Sequence, residues 1–283
     1  MRLATIVVGG RPSVAVVRAG RYLPLAMGDP ALDTSVRAIA GSGPQGLQRI
    51  DAWVAKQPDD AYRSMAGVEL GPAVSDPGAI YTVGLNYRTP GDAGTGGPLR
   101  PLIYGKASAS VAGDGAVLTW DRALTSNVDP ECELGVVIGA SALAVGPEDA
   151  MELVFGYTCI NDISSRDPWL DGDQWLLGKS MAGFCPVGPW VVTRDEVTPD
   201  HLRLGCTING VAIQDGNTGQ MRFSIAEVVS YLSRHTLLRP GDLIATGTPA
   251  RLAGPMGPDR HLETGDAVAV WIDQIGELRT TIA

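Results

Sequence analysis

The chain has 283 residues, 45% of them hydrophobic and 19% charged, with 22 Lys and Arg against 31 Asp and Glu. The apolar content excludes a disordered chain, and no uninterrupted apolar run is as long as the about 18 residues that a membrane-spanning helix needs. The net charge of −9 argues against a nucleic-acid partner, because proteins bind nucleic acid through a basic surface. Gly (36) and Pro (20) make up about a fifth of the chain, which favours a turn-rich, many-stranded globular protein over a helical bundle.

The first 25 residues predict a small antiparallel meander. Three short apolar stretches alternate with glycine-rich turns there: LATIVV, SVAVVRAG and RYLPL. A helix is predicted at Leu47–Lys56, because Leu47, Ile50 and Val54 recur on one helical face. Turn formers at residues 66–78 then mark a boundary. We therefore expect a small N-terminal β/α domain (1–70) and a larger domain (71–283).

The larger part indicates short strands bounded by turn formers. Strands are predicted in AIYTVGLNY, LIYGK, AVLTW, CELGVVIGA, YTCINDIS, WVVT, LGCTING, DLIATGT and AVAVWI. One helix is predicted to begin at Pro147, and another to span Ser224–Ser233, with Ser224 as N-cap and Glu227 at the capping-box position. The segment Thr89–Leu99, rich in Gly and Pro, predicts a loop that covers the scaffold. The fold class is therefore α+β and β-rich.

The cysteines and the N-terminus bear on the compartment. The four cysteines form no CxxC pair, so neither a zinc site nor a disulfide framework is indicated. The first apolar run is too short for a signal peptide. We therefore expect a cytoplasmic protein with no membrane or nucleic-acid partner.

Two carboxylates stand at the start of a predicted buried strand. On a strand, Glu131 and Glu133 point to the same face, and the residues after them are apolar. Like charges at the edge of a core repel and lose hydration unless a cation or a proton lies between them. Hard divalent cations such as Mg²⁺ prefer carboxylate oxygens. Taken alone, the segment is also compatible with an exposed strand end whose two acids face water.

Three further features carry candidate side chains. Asp162 ends a predicted apolar strand, a position that suits a helix N-cap or a turn as well as a ligand. The chain has three lysines, Lys56, Lys106 and Lys179. The last two each follow an apolar, glycine-containing segment predicted as a strand, although an exposed lysine is the ordinary alternative. The TGTP segment (246–249) predicts a polar turn whose hydroxyl and NH groups can hold a carboxylate.

The order of these segments is more informative than any one of them. Together they resemble the fumarylacetoacetate hydrolase (FAH) family, through Val83–Tyr87, Glu131–Glu133, Asn161–Asp167, Gln174–Ser180, Phe184–Trp190, Asn209–Ser224 and Pro240–Pro249. The resemblance implies a mixed β-roll or sandwich with a small N-terminal domain, assembled as a homodimer. It also implies an enzyme that cleaves, decarboxylates or tautomerises 2-oxo acids or 1,3-dicarbonyl acids.

The resemblance further implies the residues of a site. It implies that Mg²⁺ or Mn²⁺ binds to Glu131, Glu133 and Asp162, and that Lys179 faces the substrate. It implies substrate contacts by Arg166, Gln174, Thr248 and Tyr87. A divalent cation polarises the carbonyl of a 2-oxo acid, and its charge would lower the pKa of the neighbouring Lys179.

Three departures from the family's pattern bear on the reaction. Hydrolytic members carry a histidine in the covering loop where this chain has Pro90, and an acid where it has Ala93. The usual base for activating water is therefore missing, and Asp92 is the nearest replacement. Ala182 stands where Asp is usual, and Arg251 where Gly is common, which adds a cation to the rim of the pocket.

The histidines offer no obvious substitute. His201, His235 and His261 fall in other segments and are expected to be structural or at the surface. General base catalysis contributes about 10²- to 10⁴-fold, so its loss favours decarboxylation or tautomerisation over the hydrolysis of most relatives. The class expected from most relatives is a hydrolase or lyase of C–C bonds, either an acylpyruvate-type hydrolase or a β-oxo-acid decarboxylase. The alternatives are a keto–enol tautomerase or isomerase, a hydrolase that uses Asp92 as its base, a specialised biosynthetic enzyme with a rebuilt covering loop, and a non-catalytic metal-binding homologue.

Overall fold

The computed structural model describes residues 1–28, 35–89, 97–172, 174–254, 256–257 and 260–283. The described helices are α1 (Val36–Gly41), α2 (Gly43–Val54), α3 (Pro147–Ala150), α4 (Pro168–Gly172), α5 (Trp175–Lys179) and α6 (Ile225–His235). The described strands are β1 (Arg2–Val8), β2 (Arg11–Arg18), β3 (Arg21–Pro24), β4 (Arg63–Ser64), β5 (Ile80–Gly84), β6 (Leu102–Lys106), β7 (Val111–Ala112), β8 (Ala116–Leu118), β9 (Val128–Asp129), β10 (Cys132–Ile138), β11 (Val154–Asn161), β12 (Ser164–Ser165), β13 (Cys185–Thr193), β14 (Arg203–Ile208), β15 (Val211–Asn217), β16 (Leu243–Ala245), β17 (Ala267–Ile272) and β18 (Gly276–Ile282).

Two large sheets enclose the main core of the described chain. One has the strand order β4-β3-β2-β1-β13-β11-β10-β16-β5-β6, with β7 beside β13, and the other has the order β15-β14-β17-β18-β8. Contacts of β11 with β17 and β18, and of β10 with β14, join the two sheets, and the apolar side chains between them form one buried cluster. The prediction of a β-rich α+β fold is therefore confirmed.

The N-terminal meander is confirmed as β1, β2 and β3, and it extends the large sheet. The edge of β1 that faces away from β2 pairs with β13, with Leu3 opposite Val191. Further along β1, the NH group of Val7 donates to the carbonyl of Glu69, and the NH group of Gly71 donates to the carbonyl of Thr5. The division at residue 70 stays a prediction, but the pairing of β1 with β13 and the hydrogen bond from Gly71 to Thr5 connect the two parts.

The central strands are apolar because both of their faces are covered. Every residue of β10 and β11 is buried, which explains their nearly continuous apolar sequences. The helix predicted from Ser224 is confirmed as α6. The Ser224 hydroxyl accepts from the NH group of Glu227, and the Glu227 carboxylate accepts from the NH group of Ser224, so the predicted capping box is present.

Three predicted elements differ in detail. α2 spans Gly43–Val54 instead of Leu47–Lys56, because Pro44 takes a first-turn position that suits its missing NH group. The helix predicted at Pro147 is only α3, since the backbone is already extended at Val154. Lys179 does not follow a strand: it ends the helix α5. In the described part of the chain, no helix is both long and apolar enough to cross a membrane.

Candidate active site

The register of β10 and β11 brings three acids together. Cys132 pairs with Asn161 in this antiparallel pair, so Glu131, just before β10, lies beside Asp162, just after β11. The NH group of Asp162 donates to the carbonyl of Glu131 at 2.9 Å. Carboxylate oxygens of Glu131, Glu133 and Asp162 all lie within 4.8 Å of one another. We call these three residues the acidic triad.

The acidic triad requires a positive charge or a proton among its oxygens. Glu133 is 3% exposed, and its Oε2 accepts from the NH group of Gly247 at 2.7 Å. Burial raises the pKa of Glu133 well above its ordinary value, and the charges of Asp162 and Glu131 raise it further. Three converging carboxylates that cannot all ionise unaided are the donor set that hard divalent cations prefer. The residues therefore fit Mg²⁺ or Mn²⁺.

Two buried lysines hold Asp162, one on each oxygen. Lys106 Nζ donates to Asp162 Oδ1 at 2.6 Å and to the carbonyl of Ile163 at 3.0 Å. Lys179 Nζ donates to Asp162 Oδ2 and to the hydroxyl of Ser164, both at 2.7 Å. Burial alone would raise the pKa of Asp162, but the two lysines reverse this effect and hold it below its ordinary value. Asp162 is therefore fixed as a carboxylate.

The charge of Lys179 is stabilised by the same acids. Burial disfavours the charged amine, but Asp162, Glu131 and Glu133 together raise the pKa of Lys179. From the sequence, a bound divalent cation is expected to lower the pKa of Lys179. Without the cation, the three acids raise that pKa instead. The protein therefore holds an ammonium group against the acidic triad.

Arg166 secures the third acid. Its Nη2 donates to Glu131 Oε1, and its Nε donates to Asp129 Oδ2 at 3.3 Å. Burial raises the pKa of Glu131, and the charges of Lys179 and Arg166 outweigh it and lower the pKa. Arg166 thus orients one member of the acidic triad, and its contact with substrate stays a prediction.

The acidic triad, Lys179 and Arg166 line a cavity of about 440 Å³. Tyr87 and Thr248 lie in its wall, as do Tyr104 and Trp175, whose rings stack with centroids 4.7 Å apart. Gln174 is exposed at the start of α5 and lies outside this wall. Pro90 and Asp92 lie outside the described residues.

α5 explains why Trp175 and Lys179 both reach the cavity. They are four residues apart, so they share one face of a helix, while Leu176 and Leu177 are 54% and 52% exposed. The apolar Leu-Leu pair suggests a buried strand in the sequence, but in the structure neither side chain enters the core.

The TGTP turn is fixed by a glutamine that the sequence did not single out. Gln214 donates through Nε2 to Thr248 Oγ1 at 2.7 Å and to the carbonyl of Pro249 at 2.8 Å, and its Oε1 accepts from the NH group of Cys132. Thr248 Oγ1 in turn donates to the carbonyl of Cys132. The cross-link ties the turn to the start of β10, next to the acidic triad.

The histidines lie apart from the described wall of the cavity. His235 Nδ1 is 2.8 Å from the carbonyl of Tyr231, and the residue is exposed. His261 Nδ1 is 2.9 Å from Asp129 Oδ1, and Asp129 itself lines the cavity. His261 is therefore separated from the described wall by one side chain.

A larger cavity, of about 630 Å³, lies between β2, α2 and β13. Four of its charged groups form two ion pairs: the amino group of Met1 is 2.5 Å from Glu196, and Arg194 is 2.6 Å from Glu152. Among the described residues, the acidic triad is the only group of three Asp, Glu, His or Cys side chains whose ligand atoms converge. The smaller cavity is therefore the candidate active site.

Replacing Gly247 by alanine is expected to lower the free energy of unfolding by about 3 kcal/mol, measured by urea denaturation. Its φ is +97°, and a Cβ would lie 2.8 Å from Asn86 Cβ and 2.9 Å from the carbonyl oxygen of Val83. Gly210 is the matched control, because its φ is +78° and a Cβ would meet nothing within 4 Å, so its replacement is expected to cost about 1 kcal/mol. Equal losses in both variants would show that the tight packing at Gly247 is unimportant.

Comparison with known proteins identifies the family of the chain. The family described as "Fumarylacetoacetate (FAA) hydrolase C-terminal" matches residues 79–283, which is most of the chain and contains the acidic triad. The chain therefore belongs to the fumarylacetoacetate hydrolase family, as its sequence segments predicted.

Solved structures extend the likeness to the whole chain. A fumarylacetoacetate hydrolase from psychrophilic Exiguobacterium antarcticum is 31% identical with a TM-score of 0.86, over 100% of this chain and 99% of that one. A maleylpyruvate hydrolase from Sphingobium sp. SYK-6, in complex with manganese (II) ion and pyruvate, is 28% identical with a TM-score of 0.81 and the same coverage. A 2-hydroxyhepta-2,4-diene-1,7-dioate isomerase from Mycobacterium marinum is 28% identical with a TM-score of 0.75, over 100% and 98%.

Proposed function

We propose that this protein is a divalent-metal-dependent enzyme that acts on a 2-oxo or 1,3-dicarbonyl acid, with decarboxylation or tautomerisation favoured over hydrolysis. The observation that carries the proposal is the acidic triad, with Lys179 against it, in a cavity of about 440 Å³. The manganese and pyruvate in the Sphingobium hydrolase complex support a divalent cation and a 2-oxo acid as ligands. Mg²⁺ and Mn²⁺ suit the donor set equally well.

The chain's own residues would divide the chemistry among them. A divalent cation held by the acidic triad would act as a Lewis acid toward the 2-oxo carbonyl. Lys179, a buried ammonium 2.7 Å from Asp162, would stabilise negative charge that develops on the substrate and would donate a proton to it. Arg166 keeps Glu131 oriented, and the Thr248 turn closes one side of the cavity.

The absence of a histidine base favours a non-hydrolytic reaction. Hydrolysis needs a group that removes a proton from water, and no histidine lies in the described wall of the cavity. Decarboxylation and tautomerisation need an electron sink and a proton donor, and the acidic triad and Lys179 suffice for both. The isomerase among the solved relatives shows that the family is not confined to hydrolases. Hydrolysis with Asp92 as the base is the second candidate.

With Mn²⁺ or Mg²⁺ present, the purified protein is expected to decarboxylate oxaloacetate, or to catalyse its keto–enol exchange, faster than it hydrolyses acetylpyruvate. Pyruvate release and the ultraviolet absorbance of the enol report the first two reactions, and loss of the diketone absorbance reports the third. Rapid acetylpyruvate hydrolysis that is lost in Asp92→Ala would establish the second candidate instead.

The dependence on a metal can be measured separately from turnover, by thermal unfolding. A ligand that binds only the folded protein raises its melting temperature, so Mn²⁺ is expected to raise it and a chelator to reverse the change. Glu133→Gln removes one carboxylate without changing its size, and it is expected to abolish both the stabilisation and the turnover. Metal binding without turnover of any of these substrates would identify a metal-binding homologue that is not such an enzyme.

A further inference from the structure

Arg251, which stands where the family commonly has glycine, lies in the wall of the active-site cavity. Its backbone is held by an isolated bridge to Gln214, and its side chain is 19% exposed. Nη2 donates to the carbonyl of Arg260 at 2.6 Å, which anchors the guanidinium. The cation is therefore fixed in place rather than extended into water.

The pairing of Arg251 is incomplete. Its Nη1 is 3.4 Å from Asp129 Oδ1, which is long for a hydrogen bond between charged groups, and its Nε is buried with no hydrogen-bond partner among the described residues. Asp129 is also engaged by Arg166 at 3.3 Å and by His261 at 2.9 Å. One carboxylate is thus shared by three partners, so the charge of Arg251 is only partly neutralised, and its weakly held Nη1 is the donor that an anion in the cavity would engage.

The charge of the site matches a dianion. Four acids and four cations lie in or directly behind the described wall: Asp129, Glu131, Glu133 and Asp162, and Lys106, Arg166, Lys179 and Arg251. When a bound divalent cation allows the whole acidic triad to ionise, these eight charges cancel, and the site carries the charge of two that the cation brings. A monocarboxylic 2-oxo acid would neutralise half of that charge, and a dicarboxylic one would neutralise all of it.

The position of Arg251 suits the second carboxylate. Arg251 and its partner Asp129 line the same cavity as the acidic triad, and Asp129 precedes Glu131 by two residues, which is about 6 to 7 Å along an extended backbone. If the 2-oxo acid end of a substrate lies at the acidic triad and its chain extends toward Asp129, a short carbon chain brings its far end to Arg251.

We propose that Arg251 binds the carboxylate at the far end of a dicarboxylic substrate and so selects dicarboxylic over monocarboxylic 2-oxo acids. The inference rests on the proposed function, since it assumes a 2-oxo acid at the acidic triad. The dioate named for one solved relative agrees with such a substrate.

Two ligands that differ only at the far end test the inference by calorimetry on the Mn²⁺-loaded protein: 2-oxoglutarate and 2-oxopentanoate. The native protein is expected to bind 2-oxoglutarate about 10- to 100-fold more tightly, the range for hydrogen bonds to charged groups. Arg251→Gln is expected to reduce this preference to about 3-fold or less, because it weakens 2-oxoglutarate binding much more than 2-oxopentanoate binding. Arg251→Lys should recover part of the preference.

Arg260→Gln is the matched control, because Arg260 lies on the same loop but pairs with Asp266 at 2.8 Å and does not line the cavity. It is expected to keep the full preference. Equal binding of the two ligands by the native protein, or equal loss of both in Arg251→Gln, would overturn the inference. The proposed function fails separately, if 2-oxopentanoate does not bind to the metal-loaded native protein at all.

Discussion

Replacing Lys106 by methionine is expected to lower the free energy of unfolding by about 3 kcal/mol, the lower end of the range for breaking a buried ion pair. The side chain of Lys106 is 0% exposed, and its Nζ lies 2.6 Å from Asp162 Oδ1. Methionine keeps most of the apolar stem but leaves that oxygen buried without its cation. Lys179 still faces the other oxygen, which is why the loss is expected at the lower end. Urea denaturation of the metal-free protein measures it.

Two controls separate this effect from a general effect of removing a lysine. Lys56 is exposed, so Lys56→Met is expected to change the free energy of unfolding by less than about 0.5 kcal/mol. Adding Asp162→Asn to Lys106→Met removes the unpaired carboxylate and is expected to recover part of the lost stability. A loss in Lys106→Met no larger than in Lys56→Met would show that Lys106 does not support the acidic triad.

Much of the fold follows from local sequence. The nine strand segments predicted in the larger part all contain a strand. Short apolar runs bounded by turn-forming residues are typical of strands, so local sequence suffices to predict them. α6 was predicted with its cap because Ser224 and Glu227 have the spacing of a capping box. The predicted segments of the larger part do not include β7, β9, β15 and β18. The apolar segment before Lys179 predicts a strand, but Trp175–Lys179 forms the helix α5. Five residues are too few for their hydrophobic periodicity to distinguish a helix from a strand.

The site could be predicted only in part. A period of two residues puts Glu131 and Glu133 on one face, but Asp162 joins them only through the register of β10 with β11. The sequence suggested that register solely through the resemblance to a family. Lys106 lies 56 residues from its partner Asp162, and Gln214 lies 82 residues from Cys132. Such contacts depend on how the strands assemble, and local patterns do not specify it. The homodimer, the cytoplasmic location and the role of Asp92 stay predictions.

Replacing Lys106 and replacing Lys179 are expected to have different effects, because the two side chains lie on different sides of Asp162. Lys106 lies behind Asp162 and outside the described wall of the cavity, so its removal should act mainly on stability. Lys179 touches the acidic triad and lines the cavity as well, so its removal should act mainly on the reaction. A pair of methionine variants can therefore separate support of the site from its chemistry.

Lys179→Met is expected to lower kcat/KM by about 10²- to 10⁴-fold, the range for loss of a general acid, with the reactive substrate found by the assays above. The ammonium group is the only lysine in the described wall, and it lies 3.2 Å from Glu131 and 2.7 Å from Asp162. Removing its charge leaves the acidic triad more negative, so Mn²⁺ is expected to bind at least as tightly as in the native protein. Steady-state kinetics and calorimetric titration with Mn²⁺ measure the two effects.

The opposite directions of these effects make the prediction specific. A misfolded or distorted site would lose metal affinity together with turnover, as Glu133→Gln is expected to do. Lys179→Arg keeps a positive charge but changes its shape and raises its proton affinity, so it is expected to retain binding of the 2-oxo acid and to lose turnover. If Lys179→Met kept a tenth or more of the native kcat/KM, the proton would come from another group. Arg166 stays charged throughout, so the search would then turn to the hydroxyl of Tyr87.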